Sequence, residues 1–156
     1  MGADTYDLTA ERMIHADVED VFDAYADVDA GRIVFAGGPD WDVDVTCDLR
    51  VGGVWSIRSA PPDGAPYRET NHFTLIDRPR RLGFRSSLTM PDGFNIERDV
   101  EVTFKNEDAA RTRMTILQKG FPNAEVRDAF GAGFPGIFDR LERVAHAWSV
   151  RREPRS

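Results

Sequence analysis

The chain has 156 residues, of which 41% are hydrophobic and 30% are charged, and its formal net charge is -7. This length and composition fit one globular domain, which we expect to span residues 1–156 with its core at about 5–148 and short disordered ends. The negative charge disfavours contact with the phosphate backbone of nucleic acids. No stretch approaches the ~18 consecutive apolar residues that cross a bilayer, so no membrane insertion is expected.

The cysteine content and the N-terminus bear on the compartment. Cys47 is the single cysteine, so no internal disulfide can form. The segment from Met1 to Met13 lacks the apolar run of a signal peptide. Together these observations predict a cytoplasmic protein.

The first part of the chain predicts a strand followed by two short helices. Residues 6–14 alternate loosely in polarity, which is typical of a strand. Apolar residues at helical spacing follow Asp17, whose carboxylate we expect to cap the first helix. A second short helix is expected from Asp27 to Phe35, before the Gly-Gly-Pro sequence at 37–39 interrupts it.

Six further strands are predicted in the middle of the chain. Their sequences alternate with a period of two, and turns rich in glycine, proline and aspartate separate them. Short connections of this kind favour antiparallel neighbours, so we expect a sheet of about seven strands. The six strands are expected at 41–49, around Trp55 and Ile57, and at 67–76, 82–88, 94–104 and 111–118.

The last part of the chain predicts a short helix that ends near Phe130, followed by a long helix from Phe134 to about Trp148. Since a sheet with one apolar face needs a cover, we expect the long helix to pack across it in an α+β fold. Its apolar stripe at helical spacing consists of Phe134, Ile137, Phe138, Leu141, Val144, Ala145 and Trp148.

Two features that suggest a cofactor or a metal have simpler interpretations. Residues 131–136 match G-x-G-x-x-G, but a dinucleotide site requires a preceding parallel strand and an acidic residue about 20 positions further on. We interpret these glycines as a flexible corner before the last helix, and no cofactor is expected. His15, His72 and His146 lie far apart without the spacing of metal ligands, so no metal site is expected.

Several motifs resemble those of one family, in the order in which that family carries them. Residues 48–55, DLRVGGVW, are similar to its "dLRpGGxW" hairpin, and residues 75–82, LIDRPRRL, are similar to its "EIxPPxRL" turn. Residues 100–115 resemble its "VTFxxxxxxTxLT" hairpin, and Gly-Phe-Pro at 120–122 stands where the family has "GFP". The chain therefore resembles the family named for the activator of heat-shock-protein-ninety ATPase. That family belongs to the START and birch-pollen-allergen superfamily, SRPBCC.

The resemblance implies a helix-grip fold, in which a curved antiparallel sheet wraps on the C-terminal helix and one or two short helices follow the first strand. It also implies a cavity between sheet and helix, which the superfamily uses for lipids, hormones and polyketides. We predict a cavity of about 300 Å³ that binds a small hydrophobic or amphipathic molecule. The predicted binding residues are Trp55, Tyr67, Phe84, Met114, Phe134 and Phe138, with Arg98 or His72 supplying polarity.

Two polar residues of the predicted sheet have two interpretations each. Arg98 interrupts an apolar strand face, where a buried guanidinium needs a ligand carboxylate or Glu69 as its partner. Alternatively the strand twists or bulges and Arg98 reaches solvent, which we favour slightly. His72 faces either the cavity, where it would orient a ligand or transfer a proton, or the solvent.

Two other functions stay open beside ligand binding. In a cyclase or hydrolase acting on a small polyketide-like molecule, His72 would transfer a proton while Arg98 holds an anionic intermediate, both within about 3 Å of one position. A chaperone-regulating interaction domain is implied by the family name alone. A homodimer is compatible with the sequence.

Overall fold

The computed structural model describes residues 6–152 of the chain. The strands are β1 Tyr6–Ile14, β2 Asp42–Cys47, β3 Val54–Ala60, β4 Tyr67–Asp77, β5 Arg81–Thr89, β6 Asn95–Asp108 and β7 Arg111–Phe121. The helices are α1 Val18–Ala26, α2 Val28–Val34, α3 Ala124–Gly131 and α4 Phe134–Arg152. The predicted disorder of the ends falls partly on 1–5 and 153–156, which lie outside the described residues, whereas 149–152 continue α4.

The strands form one sheet in the order β1-β7-β6-β5-β4-β3-β2, and all neighbouring strands are antiparallel. The predicted seven-stranded antiparallel sheet is confirmed, and the bounds of β1 agree with the prediction. Register shifts in β4 between Phe73 and Leu75 and in β6 between Asn106 and Asp108 mark irregular pairing. Irregularities of this kind bend a strand and so help the sheet to curve around its contents.

Both short helices after β1 begin at an aspartate that caps them. The side chain of Asp17 accepts a hydrogen bond from the backbone of Glu19 at 3.0 Å. The side chain of Asp27 accepts one from the backbone of Ala30 at 2.8 Å. Because each carboxylate satisfies a backbone N–H that has no partner within the helix, these caps explain where α1 and α2 start.

The core lies between the inner face of the sheet and the helices. Four residues of the predicted α4 stripe are buried, namely Phe134, Phe138, Leu141 and Ala145. The helix continues to Arg152 rather than ending near Trp148. The packing of the long helix over the sheet is therefore as predicted, and its C-terminal end was placed too early.

A charged cluster, which we call the β1–α4 clasp, connects the end of β1 to α4. The guanidinium of Arg12 pairs with Asp139 and donates to Glu142 at 3.0 Å. The other oxygen of Glu142 accepts from the backbone of His15 at 2.8 Å. His146 Nδ1 lies 2.7 Å from the carbonyl oxygen of His15, so the prediction that these two histidines lie far apart is wrong. Within the described residues, no three metal-ligating side chains gather at one point.

Two apolar residues at the ends of predicted strands, 41–49 and 94–104, lie outside the observed strands and are exposed. Leu49 lies beyond the end of β2, and Phe94 precedes the start of β6. Alternation of the sequence continues past the end of the paired strand in both places, which explains the error. None of the helices within 6–152 is long and apolar enough to cross a membrane.

Candidate functional site

An open cleft of about 240 Å³ lies between the sheet, the loop from α2 to β2, and the corner between α3 and α4. It is slightly smaller than the predicted cavity and lies at one end of the sheet–helix interface. Its lining is mainly apolar, with one carboxylate and one guanidinium. The lining residues are Phe35, Gly37, Trp41, Ile57, Ser59, Tyr67, Glu69, Leu88, Phe130, Gly133, Ile137 and Arg140.

Aromatic rings form much of the cleft wall. Trp41, from the loop before β2, stacks on Tyr67 of β4 with a centroid distance of 6.0 Å and an interplanar angle of 19°. Phe35 contacts the buried ring of Trp55 at 5.8 Å, and Phe130 contacts Phe134 at 6.0 Å. Flat rings of this kind provide a large apolar surface that favours planar or aliphatic groups of similar size.

Arg98 is buried beside the cleft, with 1% of its side chain exposed. Its guanidinium donates to Gln118, to Ser86 Oγ at 2.5 Å and to Glu69 Oε1 at 3.4 Å. The guanidinium carbon also lies 4.5 Å from the centroid of the Phe130 ring. The slightly favoured interpretation that Arg98 reaches solvent is therefore wrong, and Glu69 is the anionic partner.

The register of the sheet builds a polar row across the inner face. Arg98 on β6 lies opposite Ser86 on β5, which lies opposite Asn71 on β4, which in turn lies opposite Trp55 on β3. At Gly120 of β7, φ is 120°, and a Cβ there would stand 2.9 Å from a carbonyl oxygen of β6. Glycine thus allows β7 to run close beside the strand that carries Arg98.

Several atoms of this polar row have no hydrogen-bond partner among the described residues. They are both amide atoms of Asn71, Nε of Arg98 and Nε1 of Trp55, and all are buried. An unsatisfied buried polar group costs about 1–3 kcal/mol, and native proteins keep few of them. Their concentration in one row therefore calls for an explanation.

Glu69 connects the buried polar row to the cleft. Its Oε1 accepts hydrogen bonds from Ser86 at 3.1 Å and from Arg98, while its Oε2 has no partner within residues 6–152. The side chain is 23% exposed and lines the cleft. Burial raises the pKa of the nearby Tyr25, and the negative charge of Glu69 raises it further. The Tyr25 hydroxyl therefore stays protonated beside the Glu69–Arg98 pair.

Of the predicted binding residues, only Tyr67 lines the cleft. Five others are buried in the core and do not line this cleft, although Phe84 borders a second groove. Their contact with a ligand stays a prediction. Sequence periodicity identifies an inward-facing residue but does not distinguish a packed one from one that borders a cavity. The five core residues are Trp55, Phe84, Met114, Phe134 and Phe138.

His72 lies on the opposite face of the sheet from the cleft. Its neighbours Asn71 and Phe73 are buried, and successive residues of a strand point to opposite faces, so the His72 side chain is exposed to solvent. It pairs in register with Val54 and Arg85. The prediction that His72 supplies polarity to the cavity is wrong, and a cyclase or hydrolase that uses His72 together with Arg98 is excluded.

The residues that sequence reasoning missed come from strands as well as from loops and helices. Phe35 is far in sequence from Phe130 and Ile137, and these residues meet only because the helices pack over the same end of the sheet. One signal was available at Trp41, a large aromatic residue just after the Gly-Gly-Pro turn. Binding residues are often found on such loops.

A second groove, of about 400 Å³, lies against the outer part of the sheet. Its rim carries Asp99, Glu101 and Lys119, which are exposed and charged. Small-molecule sites are mostly apolar with few polar groups. The smaller cleft fits that description better.

The curved sheet, the long covering helix and the cleft between them define a helix-grip domain. The family model described as Activator of Hsp90 ATPase homolog 1-like protein matches residues 15–146, so the chain belongs to this family. The resemblance seen in the sequence motifs is thereby confirmed.

Solved structures with this fold extend over nearly the whole chain. The AHSA1-like protein from Aeromonas hydrophila is 27% identical, with coverage of 97% of this chain and 99% of that chain and a TM-score of 0.75. The putative uncharacterized protein from Rhizobium leguminosarum is 23% identical, with coverage of 94% and 97% and a TM-score of 0.79. Protein Ms6760 from Mycobacterium smegmatis is 23% identical, with coverage of 91% of each chain and a TM-score of 0.73. No curated protein matches the sequence significantly.

Proposed function

We propose that this protein binds a small amphipathic molecule in the cleft between the sheet and the α3–α4 corner. The observation that supports this most is the combination of an aromatic wall with a single carboxylate, Glu69, at the inner side of the cleft. Apolar walls provide affinity, and a few fixed polar groups provide orientation. The cleft volume of about 240 Å³ indicates a ligand at the small end of the usual range.

The exposure of the aromatic rings favours a ligand-binding role for the cleft over a purely structural one. Trp41, Tyr67 and Phe35 are only partly buried, so their rings are available to a ligand. In contrast, the adjacent core residues Trp55 and Phe73 are buried and stack at 5.9 Å. The chaperone-regulating role implied by the family name stays a prediction.

The proposal is tested with 1-naphthylmethanol, a soluble probe with an apolar body and one hydroxyl. We expect saturable binding in a ¹H–¹⁵N NMR titration, with shifts concentrated at cleft residues such as Tyr67, Gly133 and Ile137. The variant Ile137→Trp places a larger side chain in the cleft, and we expect it to weaken binding about tenfold or more.

The matched control is Ile33→Trp, which adds the same side chain on the exposed surface of α2, away from the cleft lining. This variant should bind the probe as the unmodified protein does. Absence of saturable binding both of this probe and of 1-methylnaphthalene, or shifts centred on the outer sheet face around His72 and Glu101, would overturn the proposed function.

A further inference from the structure

The charges beside the cleft are already balanced inside the protein. Arg98 contributes one positive charge and Glu69 one negative charge, and their side chains pair at 3.4 Å. Gln118 and Ser86 accept hydrogen bonds from other N–H groups of the guanidinium, and the Phe130 ring lies against its face. A ligand therefore does not need to bring an anion to neutralise Arg98, and an anion would meet the Glu69 carboxylate instead.

The Glu69–Arg98 pair has one hydrogen-bond acceptor without a donor among the described residues. Oε2 of Glu69 has no partner in the described part of the chain, whereas Oε1 is shared by Ser86 and Arg98. An ionised carboxylate accepts hydrogen bonds and donates none. The complementary ligand group is therefore a donor. Because Arg98 already compensates the charge of Glu69, an uncharged donor fits better than a second cation.

The polar row behind Glu69 is buried and does not line the cleft. Asn71 follows Glu69 by two residues on the same strand face, roughly 7 Å deeper along β4. Its amide oxygen and nitrogen are buried and have no partner among residues 6–152. A ligand group in the cleft therefore meets Glu69 rather than Asn71, and a hydroxyl supplies a donor for Oε2 without adding a charge.

We propose that the cleft selects a neutral alcohol or phenol, whose apolar body lies against Trp41 and Tyr67 and whose hydroxyl donates to Glu69. This inference rests on the proposed function, which it narrows to one class of ligand. Arg140 is the other charged residue of the cleft lining, and its Nε donates to the carbonyl oxygen of Val34 at 2.9 Å. A carboxylate ligand held by Arg140 is the competing outcome.

The test compares four probes that share a naphthalene body and differ in the head group. They are 1-naphthylmethanol, 1-naphthylmethylamine, 1-methylnaphthalene and 1-naphthylacetate, with affinities measured by isothermal titration calorimetry at one pH and salt concentration. We expect the alcohol to bind about tenfold or more tightly than 1-methylnaphthalene, since a hydrogen bond to a charged group strengthens binding by about that factor. The amine should bind no more tightly than the alcohol, and 1-naphthylacetate should bind most weakly.

The variant Glu69→Gln tests whether Glu69 causes this order of affinities. We expect the preference for the alcohol over 1-methylnaphthalene to fall to within about threefold, because the acceptor loses its charge. Glu97→Gln removes the same charge on the outer sheet face, where Glu97 is exposed and pairs with Arg85, and it should keep the ranking. The ranking on the unmodified protein tests the inference even if Glu69→Gln folds poorly.

The outcomes separate the inference from the proposed function. If 1-naphthylacetate binds best, or if all four probes bind equally, the alcohol inference is overturned while binding in the cleft stands. If no probe binds, including 1-methylnaphthalene, the proposed function is overturned and the inference with it. If Glu69→Gln retains the full preference for the alcohol, the hydroxyl contacts another group and the role of Glu69 is overturned.

Discussion

At the scale of single residues, Arg98 shows how a buried charge is accommodated in an otherwise apolar sheet face. Burying a charge is costly unless it is paired and hydrogen-bonded. Arg98 obtains a carboxylate from β4, a hydroxyl from β5 and an amide oxygen from β7, and Phe130 of α3 covers its face. Because Glu69 and Phe130 also line the cleft, the same contacts that accommodate Arg98 hold part of the cleft wall in place.

Replacing Arg98 by methionine should therefore destabilise the protein. The variant Arg98→Met leaves the Glu69 carboxylate without its counter-charge. It also removes the N–H groups that donate hydrogen bonds to Ser86 and Gln118, so we expect the free energy of unfolding to fall by about 3 kcal/mol. Urea denaturation of both proteins at pH 7 measures the difference.

The matched control is Arg85→Met on the outer face of the neighbouring strand. Arg85 is 48% exposed and pairs with Asp99 at 3.1 Å. Exposed ion pairs contribute little, so this change should cost no more than about 1 kcal/mol. Equal losses for the two variants would contradict the structural role assigned to Arg98.

At the scale of secondary-structure elements, α3 stands apart from the other helices. It has no buried residue, although Phe130 near its end covers the Arg98 guanidinium and lines the cleft. Its first turn is capped by Asn123, whose side chain accepts from the backbone of Val126 at 2.8 Å. A helix with so little buried surface opens locally at low free-energy cost.

Backbone amides of α3 should therefore exchange with deuterium faster than those in the middle of α4, whose apolar stripe is buried. The variant Asn123→Ala removes the cap, worth about 1 kcal/mol, and should accelerate exchange in α3 by about fivefold. Asn106→Ala, at an exposed position in β6, serves as the control and should leave α3 unchanged. Exchange in α3 as slow as in α4 would contradict this account of the helix.

Element positions were largely predictable because their causes are local. Asp17 and Asp27 cap helices in the structure as their sequence positions indicated, and period-two alternation located the strands. The errors lie at element ends, as at Leu49 and Phe94, where alternation continues beyond the backbone pairing. Local patterns do not record where a neighbouring strand stops.

At the scale of the whole molecule, the cleft could not be derived from sequence in the same way. Its wall combines residues such as Phe35 and Phe130, which meet only through the packing of helices on the sheet. The facing of His72 also depends on register, since a shift by one residue reverses a strand's two faces. Arg98 was identified as unusual from its strand position, but its solvent-exposed interpretation failed because Glu69 and Gln118 come from other strands.

Acid should weaken the molecule as a whole, because several carboxylates are stabilised in their charged form. In the β1–α4 clasp, burial raises the pKa of Glu142, but hydrogen bonds from His15 and the charge of Arg12 outweigh burial, so the pKa lies below its ordinary value of 4.5. The hydrogen bond from Arg113 likewise lowers the pKa of Glu11. A carboxylate with a lowered pKa in the folded state stabilises the protein above its ordinary pKa, and this contribution disappears as the pH falls through the folded value.

We therefore expect the free energy of unfolding, measured by urea denaturation, to be roughly constant from pH 7 to about pH 5 and to fall below that. Glu142→Gln should be less stable than the unmodified protein at pH 7, and the difference should narrow as the pH falls through the lowered pKa of Glu142, where the carboxylate becomes protonated in both states. The control Asp63→Asn lies in the exposed turn between β3 and β4, with no ion pair in the described part of the chain, and should show little difference over the same pH range. If the difference in free energy of unfolding between Glu142→Gln and the unmodified protein does not change with pH, the charge of Glu142 is not what stabilises the clasp.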